Sequence, residues 1–284
     1  MIARHLVTTL PDGRNLAWVE YGPLDGKPVL YMHGGNDCGL EAGWFADGLH
    51  ADVRLIAPDR PGFADSTLKI GRCFADIVPD MEHLLNHLGI DKLPGLALSG
   101  GGPHLLALAA LSNLLSCISV VASPCPFEVP GFFKGTWFPI RMAYLVARYA
   151  PTGVLRGLQR AMNDPVRNMR YADRMPAPDA ALFADDPARK DLVIQSVSAA
   201  HRHGFDGAVF EWRLYTRPWG FDPGTIRIPT SLWYGDQDGM APPNMGHHLA
   251  SVIPDSCIHI LQNEAHLSLI HRHGPAIVAD LVAI

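Results

Sequence analysis

A serine set among small residues is the part of this sequence best suited to covalent chemistry. The stretch 95–104 reads GLALSGGGPH, so an apolar run ends at Ser99 and glycines follow it. Ala97 and Gly101 stand two positions either side, which suits a sharp strand-to-helix turn that exposes the serine hydroxyl. The N–H of Gly100, at the start of a predicted helix, is suited to stabilise a developing oxyanion. The pattern predicts a nucleophilic serine at position 99.

A serine nucleophile requires a general base, and that base requires an acid that orients it. His266 follows the last predicted strand and is the candidate base. The candidate acids stand in the loop YGDQDGMAP (234–242), directly after the preceding strand. Asp236 and Asp238 are two positions apart in this loop, and their spacing alone leaves both open.

Alternating strands and helices must position these side chains. We predict strands over residues 6–10, 16–21, 28–33, 53–57, 95–98, 117–122, 229–234 and 257–261. We predict helices between them, near 41–49, 76–88 and 105–111, and a last helix over 275–284 with Pro275 in its first turn. This order implies an α/β protein with a mostly parallel, doubly wound sheet of eight strands.

The alternation stops for about a hundred residues after Ser123, which indicates an insertion. Helical segments are predicted there near 144–150, 153–162 and 188–200. We therefore predict a core formed by residues 1–124 and 223–284, with a helical cap (125–222) over the carboxyl edge of the sheet. Acidic residues of the cap, Asp179 among them, are expected on its solvated surface.

Composition limits the classes of partner. The 284 residues carry 23 Lys and Arg against 28 Asp and Glu, a net charge of −5, and contain no basic block that would bind nucleic acid. No stretch is long and apolar enough to span a membrane, and the N-terminus does not resemble a signal peptide. Five scattered cysteines form no metal-binding pattern and favour a reducing cytoplasm. A small-molecule substrate is the expected partner, and a homodimer is left open.

Five motifs, taken in order, resemble those of the α/β-hydrolase fold superfamily, in its helical-cap type. They cover nearly the whole chain, and the one departure is Ala97, where the family pattern most often has glycine. The motifs are His33-Gly-Gly35, Asp59-Arg-Pro-Gly-Phe-Ala-Asp-Ser66, Ala97-Leu-Ser-Gly-Gly101, the loop from Gly235 to Pro242, and His266.

The resemblance implies roles for individual residues. The spacing of the family's acid loop favours Asp238 as the triad acid and leaves Asp236 as a loop residue. The N–H groups of Gly35 and Gly100 are the implied oxyanion hole. His33 is expected to brace the oxyanion loop, and Asp59 and Arg60 are expected to stabilise their own loop, with an ion pair between them as one option.

The implied activity is hydrolysis of a small to medium, partly apolar carboxylic ester or lactone through an acyl-enzyme at Ser99, with no metal or organic cofactor. Three alternatives stay open: a C–C bond hydrolase or lyase with the same triad, a ligand-binding receptor with vestigial hydrolase activity, and a peptidase acting on small N-terminal residues. Candidate substrate-binding residues are Asn36, Phe132, Phe133, Trp137 and Phe138.

Overall fold

An eight-stranded sheet forms the centre of the computed structural model, which describes residues 2–283. The strands are β1 (Arg4–Thr9), β2 (Asn15–Tyr21), β3 (Lys27–Met32), β4 (Val53–Pro58), β5 (Leu93–Leu98), β6 (Leu115–Val121), β7 (Thr230–Gly235) and β8 (Ser256–Leu261). Their order across the sheet is β1-β2-β4-β3-β5-β6-β7-β8. Strand β2 runs in the opposite direction to the other seven strands, which therefore all end at one edge.

The predicted strands and the α/β fold class are confirmed. The central strands are buried on both faces, which explains why they read as continuous apolar runs instead of alternating patterns. Strand β1 lies at the edge and is largely exposed.

Helices cover both faces of the sheet and fill the long interval between β6 and β7. Outside that interval lie α1 (Gly43–Ala46), α2 (Ile77–Leu88), α3 (Gly102–Leu111), α10 (Pro243–Val252) and α11 (His266–Ala283). Within it lie the inserted helices α4 (Phe138–Tyr149), α5 (Thr152–Met162), α6 (Pro165–Arg170), α7 (Ala177–Asp185), α8 (Ala188–Ala200) and α9 (Asp206–Tyr215). No helix of residues 2–283 combines the length and apolar character needed to cross a membrane.

The last helix begins nine residues earlier than predicted, and the prediction that Pro275 lies in its first turn is wrong. Pro275 lies inside α11, and the expected final residue, Ile284, is outside the described residues. Proline has no N–H to donate to the carbonyl four positions back, which here is that of His271. The Arg189 guanidinium, 3.5 Å from that oxygen, contacts it instead. A tertiary contact therefore helps to accommodate a residue that normally ends a helix.

The turn after β5 depends on close backbone packing. A Cβ atom on Gly101 would lie 2.2 Å from the carbonyl oxygen of Met32 and 2.7 Å from that of His33. A side chain at position 101 would therefore clash with the neighbouring backbone. In contrast, a Cβ on Gly157, an exposed residue of α5, would meet no atom within 4 Å.

These two glycines give opposite predictions. Gly101→Ala should lower the free energy of unfolding by about 1–3 kcal/mol, because backbone atoms must move to admit the methyl group. Gly157→Ala should raise it by roughly 0.5–1 kcal/mol, because alanine is the better helix former. Urea unfolding followed by circular dichroism measures both changes. Equal effects of the two substitutions would contradict the close packing at Gly101.

Candidate active site

Ser99 and His266 line the same cavity, which has a volume of about 660 Å³. Parallel strands end along its floor, so residues that follow different strands meet there although they are far apart in sequence. The residues that follow β3, β5 and β7 and reach the cavity include Gly34, Gly35, Ser99, Gly100, Met240 and Ala241. Its remaining wall comes largely from the inserted helices and includes Ile140, Tyr144, Leu158, Met162, Met169, Val193, Val197, Trp212 and Tyr215.

Ser99 has a strained backbone. Its φ angle is +51°, in the left-handed region that residues with a Cβ rarely adopt. Within the described residues 2–283, three other non-glycine residues have positive φ, and all lie in loops that follow strands at the same edge: Ala64, Ala122 and Asn263. Such strain costs about 1–3 kcal/mol per residue and is concentrated at functional sites in folded proteins. The half-buried Ser99 side chain is thereby held at the tip of the turn between β5 and α3.

Asp238 contacts His266. Its Oδ2 atom lies 2.7 Å from Nδ1 of the imidazole, and both side chains are buried. Its Oδ1 atom accepts hydrogen bonds from the backbone N–H groups of Met240 and Ala241, at 2.7 and 2.9 Å. The carboxylate is therefore fixed on one side and holds the proton of His266 on Nδ1, leaving Nε2 as the basic atom. Asp236 is exposed, and its backbone N–H donates to Leu261.

The surroundings of His266 favour the imidazolium. Burial is the largest single influence and by itself lowers the pKa of this imidazole, but the Asp238 carboxylate opposes it through its charge and its hydrogen bond. Asp179 and Glu41 raise it further through their charges. The pKa of His266 therefore lies above its ordinary value, and a proton taken up by this residue is stabilised.

Gly35 and Gly100 face each other across a narrow gap. A Cβ on Gly100 would lie 2.7 Å from the Cα of Gly35 and 1.9 Å from the hydroxyl oxygen of Tyr215. Glycine is required at position 100 by this close approach. The N–H of Gly100 belongs to the first turn after β5, where amides have no acceptor within the helix. The two loops thus bring candidate oxyanion donors together beside Ser99.

A buried carboxylate on α9 connects these loops. Glu211 is fully buried and contacts Arg60 (3.1 Å), Arg72, His104 (2.8 Å) and the Tyr215 hydroxyl (2.6 Å). Burial alone would raise the pKa of Glu211, but the two guanidinium groups hold it well below its usual range. Burial lowers the pKa of His104 to about 4, so His104 is neutral and donates to Glu211 through Nε2.

Arg60 joins Glu211 to the loop after β3, which carries Gly35. Its guanidinium donates to the carbonyl oxygen of His33 and, at 2.9 Å, to that of Gly34. His33 accepts the backbone N–H of Arg60 at Nε2 (3.0 Å), so its Nδ1 carries the proton and donates to Gly34 (2.9 Å). The expected bracing by His33 is confirmed. The suggested pairing of Asp59 with Arg60 needs correction, because Arg60 pairs with Glu211 while Asp59 accepts the N–H of Gly39.

Two carboxyl groups also line the cavity. Glu41 accepts hydrogen bonds from the Tyr31 hydroxyl and the N–H of Gly34, both at 2.7 Å, and burial raises its pKa to about 7. Asp37 accepts from the Ser196 hydroxyl, and burial raises its pKa well above the usual value. No group of three or more His, Cys, Asp or Glu side chains within residues 2–283 is arranged to hold a metal ion.

The structure separates the five predicted substrate-binding residues. Asn36 and Trp137 line the cavity, and the Asn36 side-chain oxygen accepts from Trp212 at 3.0 Å. Phe132 and Phe133 line a second, more open recess, and Phe138 is 73% exposed. The expectation for these three phenylalanines needs correction. Phe132 and Phe133 pack against each other, with ring centroids 5.1 Å apart, so an aromatic cluster in the sequence reflects local packing here.

Sequence reasoning missed three buried residues that hold the loops and the helix carrying the candidate catalytic groups. Glu211 and Tyr215 stand four apart on α9, a helix that was not predicted. Asp179 was expected on a solvated surface but is 2% exposed and contacts the start of α11. An indirect signal for Glu211 was the presence of Arg60 and Arg72 in loops of an otherwise apolar core, since buried cations require a carboxylate.

Comparison with known proteins identifies the family of this chain. A family model described as alpha/beta hydrolase fold matches residues 27–272. The chain belongs to the alpha/beta hydrolase family. It is 33% identical over 108 residues to a Bacillus subtilis (strain 168) protein named as an uncharacterized hydrolase, YcgS. That match spans 38% of this chain and 37% of YcgS, which is well under half of either protein.

Solved structures of this hydrolase fold match over nearly their whole length. A thermophilic esterase from Thermogutta terrifontis, solved with malate bound, has a TM-score of 0.68 at 21% identity and 99% and 98% coverage of the two chains. An enol-lactonase from Burkholderia xenovorans LB400 has a TM-score of 0.70 at 17% identity, and the match covers 98% of this chain and 100% of the lactonase. The epoxide hydrolase CorEH has a TM-score of 0.70 at 17% identity, and the match covers 99% of this chain and 97% of CorEH. At these identities the likeness establishes the shared fold alone.

The contact between Asp238 and His266 predicts a pH effect. An enzyme that uses neutral His266 as its base should lose kcat/KM as the pH falls through the raised pKa of that imidazole. Asp238→Asn should move this acid limb to lower pH, because the charge that raises the pKa is gone, and should reduce kcat by about ten-thousand-fold. Asp236→Asn is the matched control and should change neither. A pH profile of ester hydrolysis tests this, and equal losses in the two variants would contradict the assignment.

The contacts of Tyr215 predict that removing its hydroxyl weakens transition-state stabilisation and leaves substrate binding nearly unchanged. Its hydroxyl lies 3.1 Å from the carbonyl oxygen of Gly100 and 2.6 Å from Glu211. Tyr215→Phe should lower kcat and the affinity for an alkyl boronic acid, an oxyanion mimic, by a similar factor of about ten, with KM nearly unchanged. Tyr21→Phe, which removes a buried hydroxyl bonded to Leu40, is the control. A change in KM alone would contradict the proposed link to Gly100.

Proposed function

We propose that this hydrolase cleaves a small to medium, partly apolar carboxylic ester or lactone through an acyl-enzyme on Ser99. The single observation that carries the proposal is the meeting of Ser99, the bonded pair of Asp238 and His266, and the facing glycines 35 and 100 around one cavity. That arrangement supports the proposal because it offers a candidate for each part of acyl transfer: nucleophile, base, acid and oxyanion donors.

The chemistry follows from the protonation states. His266 carries its proton on Nδ1, beside Asp238, so Nε2 takes the proton of the Ser99 hydroxyl as the oxygen attacks the carbonyl carbon. The carbonyl π electrons move to its oxygen, which becomes the oxyanion of a tetrahedral intermediate. When the intermediate collapses, the imidazolium returns the proton to the leaving alkoxide oxygen. Water then repeats the attack on the acyl-enzyme with the same histidine as base.

Stabilisation of the oxyanion is assigned to the N–H groups of Gly35 and Gly100. One such donor is typically worth about 3–4 kcal/mol in the transition state. The donors are effective because they are fixed before the reaction: Arg60 holds the loop that carries Gly35, and Tyr215 packs against Gly100.

The cavity supports a substrate with an apolar portion. Its volume of about 660 Å³ lies within the usual range for small-molecule sites. Aliphatic, thioether and aromatic side chains from the inserted helices form most of the wall opposite Ser99. We propose that residues 125–222 act as a cap that closes the cavity above the sheet and selects the substrate, and that Asn36 and Trp137 contact it.

An activity-based fluorophosphonate tests the nucleophile. The wild-type protein should gain one phosphonyl adduct, on Ser99, by intact mass and peptide mapping. Ser99→Ala should lose the adduct and at least about a thousand-fold of its p-nitrophenyl ester turnover. Ser116→Ala, at an exposed position near the opposite end of β6, should retain both. Retained labelling in Ser99→Ala would refute the proposal.

A substrate panel separates the proposed activity from its alternatives. Turnover of p-nitrophenyl esters or lactones, with burst kinetics in the first turnover, supports the acyl-enzyme route. Preferential cleavage of vinylogous diketones would replace it with C–C bond hydrolysis. Tight binding of panel members with negligible turnover of all of them would indicate a receptor.

A further inference from the structure

The helix that carries His266 has no side chain of its own to cap its first turn. Ala265 precedes His266, and alanine offers no acceptor for the free N–H groups at a helix N-terminus. The Ser268 hydroxyl bonds back to the N–H of Ala265 at 2.8 Å, which satisfies a group outside the helix. The N–H groups of Leu267 and Ser268 therefore need an acceptor from elsewhere in the protein.

Asp179 supplies that acceptor from α7, one of the inserted helices. Its Oδ1 atom accepts the N–H of Leu267 at 3.0 Å and that of Ser268 at 2.7 Å. The carboxyl group is almost completely buried and lies at the end of α11 where a negative charge is favourable. A residue 88 positions away along the chain therefore acts as the helix cap.

We propose that Asp179 is a positioning residue that fixes the start of α11 and thereby holds the His266 imidazole against Asp238. The proposal rests on the proposed function, in which His266 is the general base. His266 is the first residue of α11, so any movement of its first turn displaces the imidazole directly. The position of the base then depends on the packing of α7 against α11. The inserted segment, residues 125–222, therefore positions the base in addition to lining the cavity.

Charge gives Asp179 a second effect on the same imidazole. The carboxyl groups that act on His266 come from three elements: Asp238 after β7, Asp179 on α7, and Glu41 in the turn before α1. Each favours the imidazolium. Hydrogen bonding and charge are separable at position 179, because asparagine keeps an oxygen acceptor for both N–H groups and removes the charge.

Three variants test the proposal. Asp179→Asn should retain the plateau kcat/KM within about twofold, because the helix stays capped, while the pKa of His266 falls by several tenths of a unit. Asp179→Ala should lose about tenfold or more in plateau kcat with little change in KM, because the first turn of α11 is left without its acceptor. Asp185→Asn, an exposed residue of the same helix, is the charge-matched control and should resemble wild type.

The pKa of His266 is read by NMR titration of ¹⁵N-histidine-labelled protein, with the His266 signal assigned through its loss in His266→Gln. An unchanged titration in Asp179→Asn would overturn the electrostatic part of the proposal. Equal plateau kcat in the asparagine and alanine variants would overturn the positioning part. Because the titration needs no substrate, it tests Asp179 even in a protein that hydrolyses no ester, and the two failures are distinguishable.

Discussion

The sharp turn at Ser99 exists because the backbone around it is packed too closely for side chains. Gly101 lies against the carbonyl groups at the end of β3, and Gly100 lies against Gly35 and the hydroxyl of Tyr215. Ser99 adopts a left-handed conformation within this packing, and the loops of Gly35 and Gly100 lie close together. The free energy stored in that conformation is supplied by the surrounding core, whose central strands are fully buried.

Buried carboxylates from the inserted helices hold this edge of the sheet. Glu211 joins Arg60 to Tyr215 and so fixes the loops of Gly35 and Gly100, whereas Asp179 caps the helix of His266. Removing charges from water is costly, and buried ion pairs often contribute little net stability. Their directional hydrogen bonds instead hold groups in a single arrangement, which is what preorganised catalysis requires. The inserted helices therefore contribute hydrogen bonds that hold the elements carrying the candidate catalytic groups.

The sequence was sufficient for features that follow from local patterns. Apolar runs identified the eight strands, and the parallel order explains why residues at their ends, such as Ser99 and Gly35, converge at one edge. Features set by tertiary contacts were not predictable. Pro275 lies within α11, where Arg189 contacts the carbonyl oxygen of His271 that proline cannot bond. Asp179 is buried against the start of the same helix, which is distant from it in sequence. The aromatic residues 132, 133 and 138 were mispredicted because hydrophobicity indicates burial but does not say against which surface.

The central claim is that Ser99, His266 with Asp238, and two backbone amides form one acyl-transfer site. A crystal structure of the protein after reaction with a p-nitrophenyl alkylphosphonate tests this most directly. The account predicts a phosphorus atom bonded to the Ser99 oxygen, with the phosphonyl oxygen about 3 Å from the amide nitrogens of both Gly35 and Gly100. A phosphonate bonded to another residue, or a phosphonyl oxygen turned away from both amides, would contradict it.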